Sequence, residues 1–116
     1  MTTYEGSCHC GGIAFTVQGE IDEVFDCNCS MCRRKGALLA PFPREALVLK
    51  TPESALATYR FNREVIDHHF CPTCGIAPFS EGKGHEGKAM TMVNVRCLPE
   101  VDLSALKVKQ FDGAAY

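Results

Sequence analysis

Seven of the eight cysteines in this chain fall into three tight clusters, Cys8-x-Cys10, Cys27-x-Cys29-x-x-Cys32 and Cys71-Pro-Thr-Cys74-Gly75. Thiols one or two residues apart can turn toward a common point, and four of them around a point form the tetrahedral soft-donor environment that Zn²⁺ favours. The clusters supply two, three and two sulfurs, enough for one closed four-thiolate site with three left over. Cys71-Pro-Thr-Cys74 is the most specific motif locally. Its two-residue spacer makes a tight turn whose N–H groups point at the sulfurs, and Gly75 accepts the positive φ that follows. Cys8 and Cys10 are the natural second pair, and joining them to Cys71 and Cys74 would tie the first strands to the later sheet as a structural zinc site.

The middle cluster places Cys27, Cys29 and Cys32 within six residues and has no fourth cysteine nearby. Structural zinc sites are closed by four protein ligands, whereas catalytic sites keep a position for water or substrate. The functional reading is an open three-thiolate zinc. Competing readings close it with His9, His68, His69, His85 or Cys97, or regroup the cysteines. Three thiolates leave a net charge of about −1 on a bound Zn²⁺, which disfavours water activation and suits a soft thiol that coordination deprotonates. Arg33, Arg34 and Lys35 follow directly and are placed to offset that charge and hold a substrate carboxylate; the bland alternative is a solvated helix end. His68 and His69 occupy adjacent strand positions and face opposite sides. Either imidazole, or water, is a candidate proton donor. Cys97 reads as a small buried hydrophobe, and Glu81 and Glu86 as solvated loop residues.

The elements that must position these groups are mostly strands. Ile13, Phe15 and Val17 alternate between Gly11-Gly12 and Gly19, predicting a half-buried strand. Met90 to Arg96 and Leu106 to Phe111 alternate as well, with shorter strands expected at Ala46 to Lys50, Leu56 to Phe61 and Ala77 to Ser80. Helical signals are brief: Thr51-Pro52-Glu53, the stretch from Ser30 through Lys35, and Pro99 through Leu103. Glycine-rich 81–87 reads as a flexible surface loop and a candidate lid. A length of 116 residues with 46% hydrophobic and 22% charged content predicts one domain over 1–116, mainly β. The longest apolar run, Ala37 to Ala40, is too short for a bilayer span, and Met1 to Glu5 lacks the pattern of a secretory leader. The expectation is a cytoplasmic protein without a membrane partner, where closely spaced cysteines favour metal over disulfides. Seven thiolates and two Zn²⁺ turn the formal charge of −2 into −5, which argues against nucleic acid as a partner.

Gly6-Ser7-Cys8-His9-Cys10-Gly11-Gly12, Cys27-Asn28-Cys29-Ser30-Met31-Cys32-Arg33-Arg34, Phe70-Cys71-Pro72-Thr73-Cys74-Gly75 and Val93-Asn94-Val95-Arg96 together resemble the glutathione-dependent formaldehyde-activating enzyme family. The resemblance spans nearly the whole chain. It implies a small Mss4-like β-sheet domain with a structural zinc at Cys8, Cys10, Cys71 and Cys74 and a second zinc at Cys27, Cys29 and Cys32. It also implies carbon–sulfur lyase chemistry, the reversible addition of glutathione to formaldehyde to give S-(hydroxymethyl)glutathione, so the implied partners are a small thiol and an aldehyde. The alternative from the same architecture is a non-enzymatic, zinc-stabilised binding module with both sites closed.

Overall fold

Apolar residues that alternate with polar ones bury one side of a strand and leave the other wet. Ala14–Gln18 follows that rule, with Phe15 and Val17 buried, whereas the expected alternation from Leu106 to Phe111 buries neither side, since Lys107–Phe111 is exposed throughout. The computed structural model describes residues 2–61 and 66–115. Three strands, β1 (Thr3–Ser7), β2 (Ala14–Gln18) and later β5 (Leu47–Leu49), make a small antiparallel sheet in the order β1-β2-β5. The other strands are β3 (Glu23–Cys27), β4 (Leu39–Pro43), β6 (Ala57–Tyr59), β7 (Asp67–Phe70), β8 (Phe79–Lys83), β9 (Ala89–Asn94) and β10 (Lys107–Phe111). They form a seven-stranded sheet in the order β10-β3-β4-β9-β8-β7-β6, antiparallel except where β10 runs parallel to β3. Among the described residues a single short α-helix, α1 (Cys32–Lys35), ends at Gly36.

Register separates the two faces of the large sheet. Phe79 pairs with Val93, which pairs with Ala40, and these residues face the small sheet together with Phe42. There they meet Ile13, Phe15 and Val17, all fully buried. The Phe15 and Phe79 rings pack edge-on with centroids 5.6 Å apart, a geometry that adds to their area burial. One position over in each strand, Leu39, Met92, Ser80 and His68 face the other way. Leu39 and Met92 pack there with Cys27, Cys29, Cys32 and Ala37 in a second, smaller cluster. The large sheet thus keeps its main core on one face and the middle cysteine cluster on the other.

Several sequence expectations change in the folded chain. The strand of β2 forms where the alternation placed it, and β9 ends at Asn94, after which Val95–Cys97 turns as a 3-10 segment capped by the Asn94 side chain. The turn expected from Pro99 forms later, at Leu103–Ala105, where the Asp102 carboxylate accepts from Ser104 N–H. Residues 81–87 are not a free lid. Glu81, Gly82 and Lys83 pair with Thr91, Met90 and Ala89, so the stretch continues β8 into a hairpin whose partner strand supplies the order that the glycines alone do not.

Glu81 is likewise only partly exposed, and it is paired. Its carboxylate joins the Arg44 guanidinium on one oxygen and His69 Nε2, at 2.5 Å, on the other, while His69 Nδ1 meets Thr58 Oγ1 at 2.9 Å. This chain of contacts runs from β6 across β7 and β8 to the 3-10 turn Arg44–Ala46. Removing one member of a partly buried charged network strands the others without partners. Glu81→Gln is expected to lower unfolding stability by about 1–3 kcal/mol, read as a lower guanidinium midpoint at unchanged slope with metal content intact. An unshifted midpoint would show that the network contributes nothing net.

Candidate metal centres

The first centre is assembled by two turns. Cys8 and Cys10 follow β1, where Cys8 N–H donates to Ile13 C=O at 3.0 Å and Ile13 N–H donates to Cys8 Sγ at 3.3 Å. Cys71 and Cys74 follow β7 in a turn closed by Gly75 N–H to Cys71 C=O at 2.8 Å, and Cys74 N–H points at Cys71 Sγ at 3.5 Å. Gly75 has φ 81°, the left-handed conformation the motif requires. The four sulfurs lie within 4.8 Å of one another, with Cys8 to Cys10 at 3.8 Å and Cys10 to Cys71 at 3.5 Å. A tetrahedron of sulfurs about 2.3 Å from a central ion has edges of about 3.8 Å. All eight cysteines are free thiols, so disulfide pairing plays no part in holding the clusters.

The thiols of this centre titrate unequally. The N–H groups of Ile76 and Cys10 hold Cys74 down to about 6, and the N–H of Cys74 lowers Cys71. For Cys10, the N–H of Gly12 favours the thiolate, but the Cys71 and Cys8 thiols outweigh it and push Cys10 up to about 11. Sulfurs this close cannot all ionise beside one another. A divalent cation between them removes that repulsion, so the donor set fits a soft metal ion.

The second centre lies on the opposite face of the large sheet. Cys27 ends β3, Cys29 sits in the following turn and Cys32 opens α1. Their three sulfurs also lie within 4.8 Å of one another. Cys29 N–H points at Cys27 Sγ at 3.5 Å and Cys32 N–H at Cys29 Sγ at 3.3 Å, so the backbone of the turn faces the sulfurs. Burial raises the Cys27 thiol and, with the Cys29 sulfur, pushes Cys32 up to about 12. Burial opposes ionisation of Cys29 as well, yet the N–H of Cys32 and the Cys32 thiol bring it below its ordinary range. This set also fits a soft cation, and among the described residues no imidazole, carboxylate or fourth thiol joins it.

The structure sorts the other candidates. Cys97 is buried, its thiol pushed up to about 11 by burial and by the charges of Cys8 and Cys74, and it belongs to neither group. His9 and His69 also join neither, and His69 has both ring nitrogens engaged, by Thr58 and Glu81. The side chain of His85 lies outside the described residues. His68 shares the sheet face of the middle cluster, and burial followed by the charge of Lys35 pushes its ring down to about 4, so the imidazole is neutral at pH 7. Arg33 and Arg34 are exposed, and Arg34 Nη1 donates to Ser30 C=O at 2.8 Å. Arg34 and Lys35, with Met31, form one wall of a cleft whose far side includes His68.

Residues near the C-terminus complete the second centre, and sequence reasoning missed them. Phe111 of β10 pairs with Cys27, and the chain then turns over the cluster through Gly113–Ala115. Asn28, between the first two cysteines, holds that turn three ways. Its backbone N–H donates to Phe111 C=O at 3.1 Å, its Nδ2 to Asp112 at 3.0 Å, and its Oδ1 accepts from Ala114 N–H at 2.9 Å. A Cβ on Gly113 would stand 2.4 Å from Cys27 Sγ, so only glycine allows the turn to lie this close to the sulfur. The partners are 84 residues apart in the chain, and the only local signal was a glycine just after an alternating strand.

Comparison with known proteins accords with these centres. A family model described as glutathione-dependent formaldehyde-activating enzyme matches residues 3–111. The fold is also similar to the crystal structure of a Rhodobacter sphaeroides protein, with a TM-score of 0.77 and 28% sequence identity over 90% of this chain and 99% of that one. Gly113→Ala is expected to displace Cys27 Sγ and weaken metal binding at the three-thiolate centre by about tenfold or more, with the four-thiolate centre unaffected. Chelator competition on the loaded protein measures both affinities in one titration. Equal affinities in variant and wild type would mean that the terminal turn, not the cysteine, yields.

Proposed function

The chain belongs to the glutathione-dependent formaldehyde-activating enzyme family, and from that membership and the unequal donor sets of its two centres we propose that it is a zinc-dependent carbon–sulfur lyase. It reversibly adds a glutathione-like thiol to a small aldehyde such as formaldehyde, in a reducing cytoplasmic setting that keeps its thiols free. The observation that carries this reading is the three-sulfur centre that no fourth ligand joins among the described residues. Cys8, Cys10, Cys71 and Cys74 would hold one zinc as a closed structural site, and Cys27, Cys29 and Cys32 the second. Held by these three thiolates, zinc would supply a soft Lewis acid that favours the thiolate form of an incoming thiol.

In the reaction, the substrate sulfur donates an electron pair to the carbonyl carbon and forms the C–S bond. The π pair of the carbonyl moves to oxygen, which takes a proton, so that thiol and aldehyde sum to the hemithioacetal with nothing left over. In the reverse direction the C–S bond breaks and the proton returns. The protein's own residues act around that exchange. The Cys29 and Cys32 N–H groups face the sulfurs of Cys27 and Cys29 and hold them in place. Ala37, Leu39 and Met92 pack against the centre and keep water from its inner side. Arg33 and Arg34 would offset the surplus negative charge of the thiolates, and Arg34, which lines the neighbouring cleft, is the better placed to orient an anionic group.

Cys29→Ser should lower zinc from about two to about one per chain and abolish catalysed thiol–aldehyde exchange, with the circular-dichroism spectrum and thermal transition retained. Exchange is followed by NMR of formaldehyde and glutathione at equilibrium, which separates catalysis from the spontaneous reaction. Wild-type exchange in a variant that has lost one zinc would sink the proposal. Thiol-insensitive cobalt–sulfur bands in Co²⁺-loaded protein would favour a binding module instead.

A further inference from the structure

After Leu106 the chain runs out as an arm, residues 107–115, that joins the fold along one edge. Its strand, β10, is the outermost of the large sheet and pairs with β3 alone. Every residue of β10 is exposed, and its apolar side chains Val108 and Phe111 keep 47% and 42% of their surface in water. Burial therefore does little to hold the arm. Its ties to the fold include the edge-on contact of Phe111 with Phe25, a bond from Gln110 to Asp26, and the contacts of Asn28 with Phe111, Asp112 and Ala114. Exposed hydrogen bonds of this kind exchange with water at small net cost. A segment held so opens at lower free energy than a central strand such as β9, which β4 and β8 flank on both sides.

The arm swings from a fixed point and ends on the sulfurs. Leu103 and Leu106 pack against the main core, so the chain is anchored immediately before Lys107. Beyond that anchor only Gly113 is partly buried. A Cβ there would stand 2.4 Å from Cys27 Sγ and 3.3 Å from Cys29 Cβ, so the backbone of the tip rests against the three-thiolate centre. Ala37, Leu39 and Met92 close the inner side of that centre, which leaves the side where the tip rests as the way to solvent. No side chain of the arm belongs to the ligand group. Opening the arm would therefore uncover the sulfurs without removing one.

We propose that residues 107–115 form a gate on the three-thiolate centre, latched by Asn28, and that its opening sets the rate at which a metal ion enters and leaves. The proposal rests on the reading that Cys27, Cys29 and Cys32 hold a metal, and not on the reaction assigned to it. Asn28 and Asp112 are positioning residues that act through the arm. Because the arm supplies no ligand, loosening it speeds entry and release together and leaves the binding equilibrium nearly in place.

The test compares zinc-loaded wild type with the full-length variants Asn28→Ala and Asp112→Ala. Release into a chromogenic chelator is followed by stopped flow, with the phase belonging to the three-thiolate centre identified by its loss in Cys29→Ser. That phase should quicken by about tenfold in Asn28→Ala, which loses two side-chain hydrogen bonds to the arm, and by less in Asp112→Ala, which loses one. Release from the four-thiolate centre should not change, and chelator competition should give nearly the wild-type affinity at both centres. Amide exchange of the loaded wild type should show the N–H groups of Asn28 and Ala114 exchanging together and ahead of those of β9. Unchanged release in both variants would overturn the gate. So would an affinity that falls in proportion to the faster release, since that is a wall that holds the metal in place. Only one zinc per wild-type chain would overturn the metal reading of this centre as well. Thermal transitions confirm that each variant compared is folded.

Discussion

Sulfurs that repel one another as thiolates sit where the two sheets meet, and much of the architecture depends on what relieves that repulsion. Cys8 and Cys71 are part of the main apolar core, so the first centre is continuous with the packing between the sheets. Cys10 and Cys71 touch across 61 residues of chain, joining the small sheet to the β7–β8 turn. A cation between the four sulfurs would close that long loop and draw on metal-binding free energy that, in small metal-stabilised domains, is folding free energy. The Cys74 N–H aimed at Cys71 already favours negative charge on that sulfur, which lowers the cost of assembling the cluster.

The second centre is built from the same chemistry under a different constraint. Its three sulfurs come from one short stretch of chain, so it crosslinks nothing distant through its own ligands. What ties it to the rest of the molecule is the terminal turn held by Asn28 and the apolar contacts of Leu39 and Met92. A site that is not needed to join sheets is free to leave a coordination position for substrate. The fold therefore divides labour by face: the side of the large sheet that packs on the small sheet holds the structure, and the opposite side carries the candidate chemistry.

What could be read from sequence follows from how local each signal is. Cysteine spacing, the positive φ of Gly75 and the alternation of β2 are short-range, and they appear in the structure where they were expected, while β9 forms but stops at Asn94, two residues short of the expected end. Strands β3 and β4 were not foreseen. β3 is short and interrupts Val24 and Phe25 with Glu23 and Asp26, and Pro41 and Pro43 disguise β4, so what orders them is the pairing of β4 with β9. Glu81 looked solvated because glycines surround it, yet its partners Arg44 and His69 come from elsewhere in the chain. The turn over Cys27 was invisible for the same reason, since its reference point, Asn28, lies 84 residues earlier than Asp112.

The adjacent histidines show why a strand is a useful place to put both stability and recognition. Successive side chains on a strand point to opposite faces, so one residue step carries the chain from one environment to the other. His69 points into the main core face, lies tilted against the Phe79 ring and bonds Thr58 and Glu81, which fixes its ring. His68 points to the other face, contacts the Phe61 ring and lines the cleft beside α1. The same backbone hydrogen bonds hold both. Rigidity on one face is therefore transmitted, at no extra conformational cost, to the residue that faces the cleft, which is the preorganisation a recognition site requires.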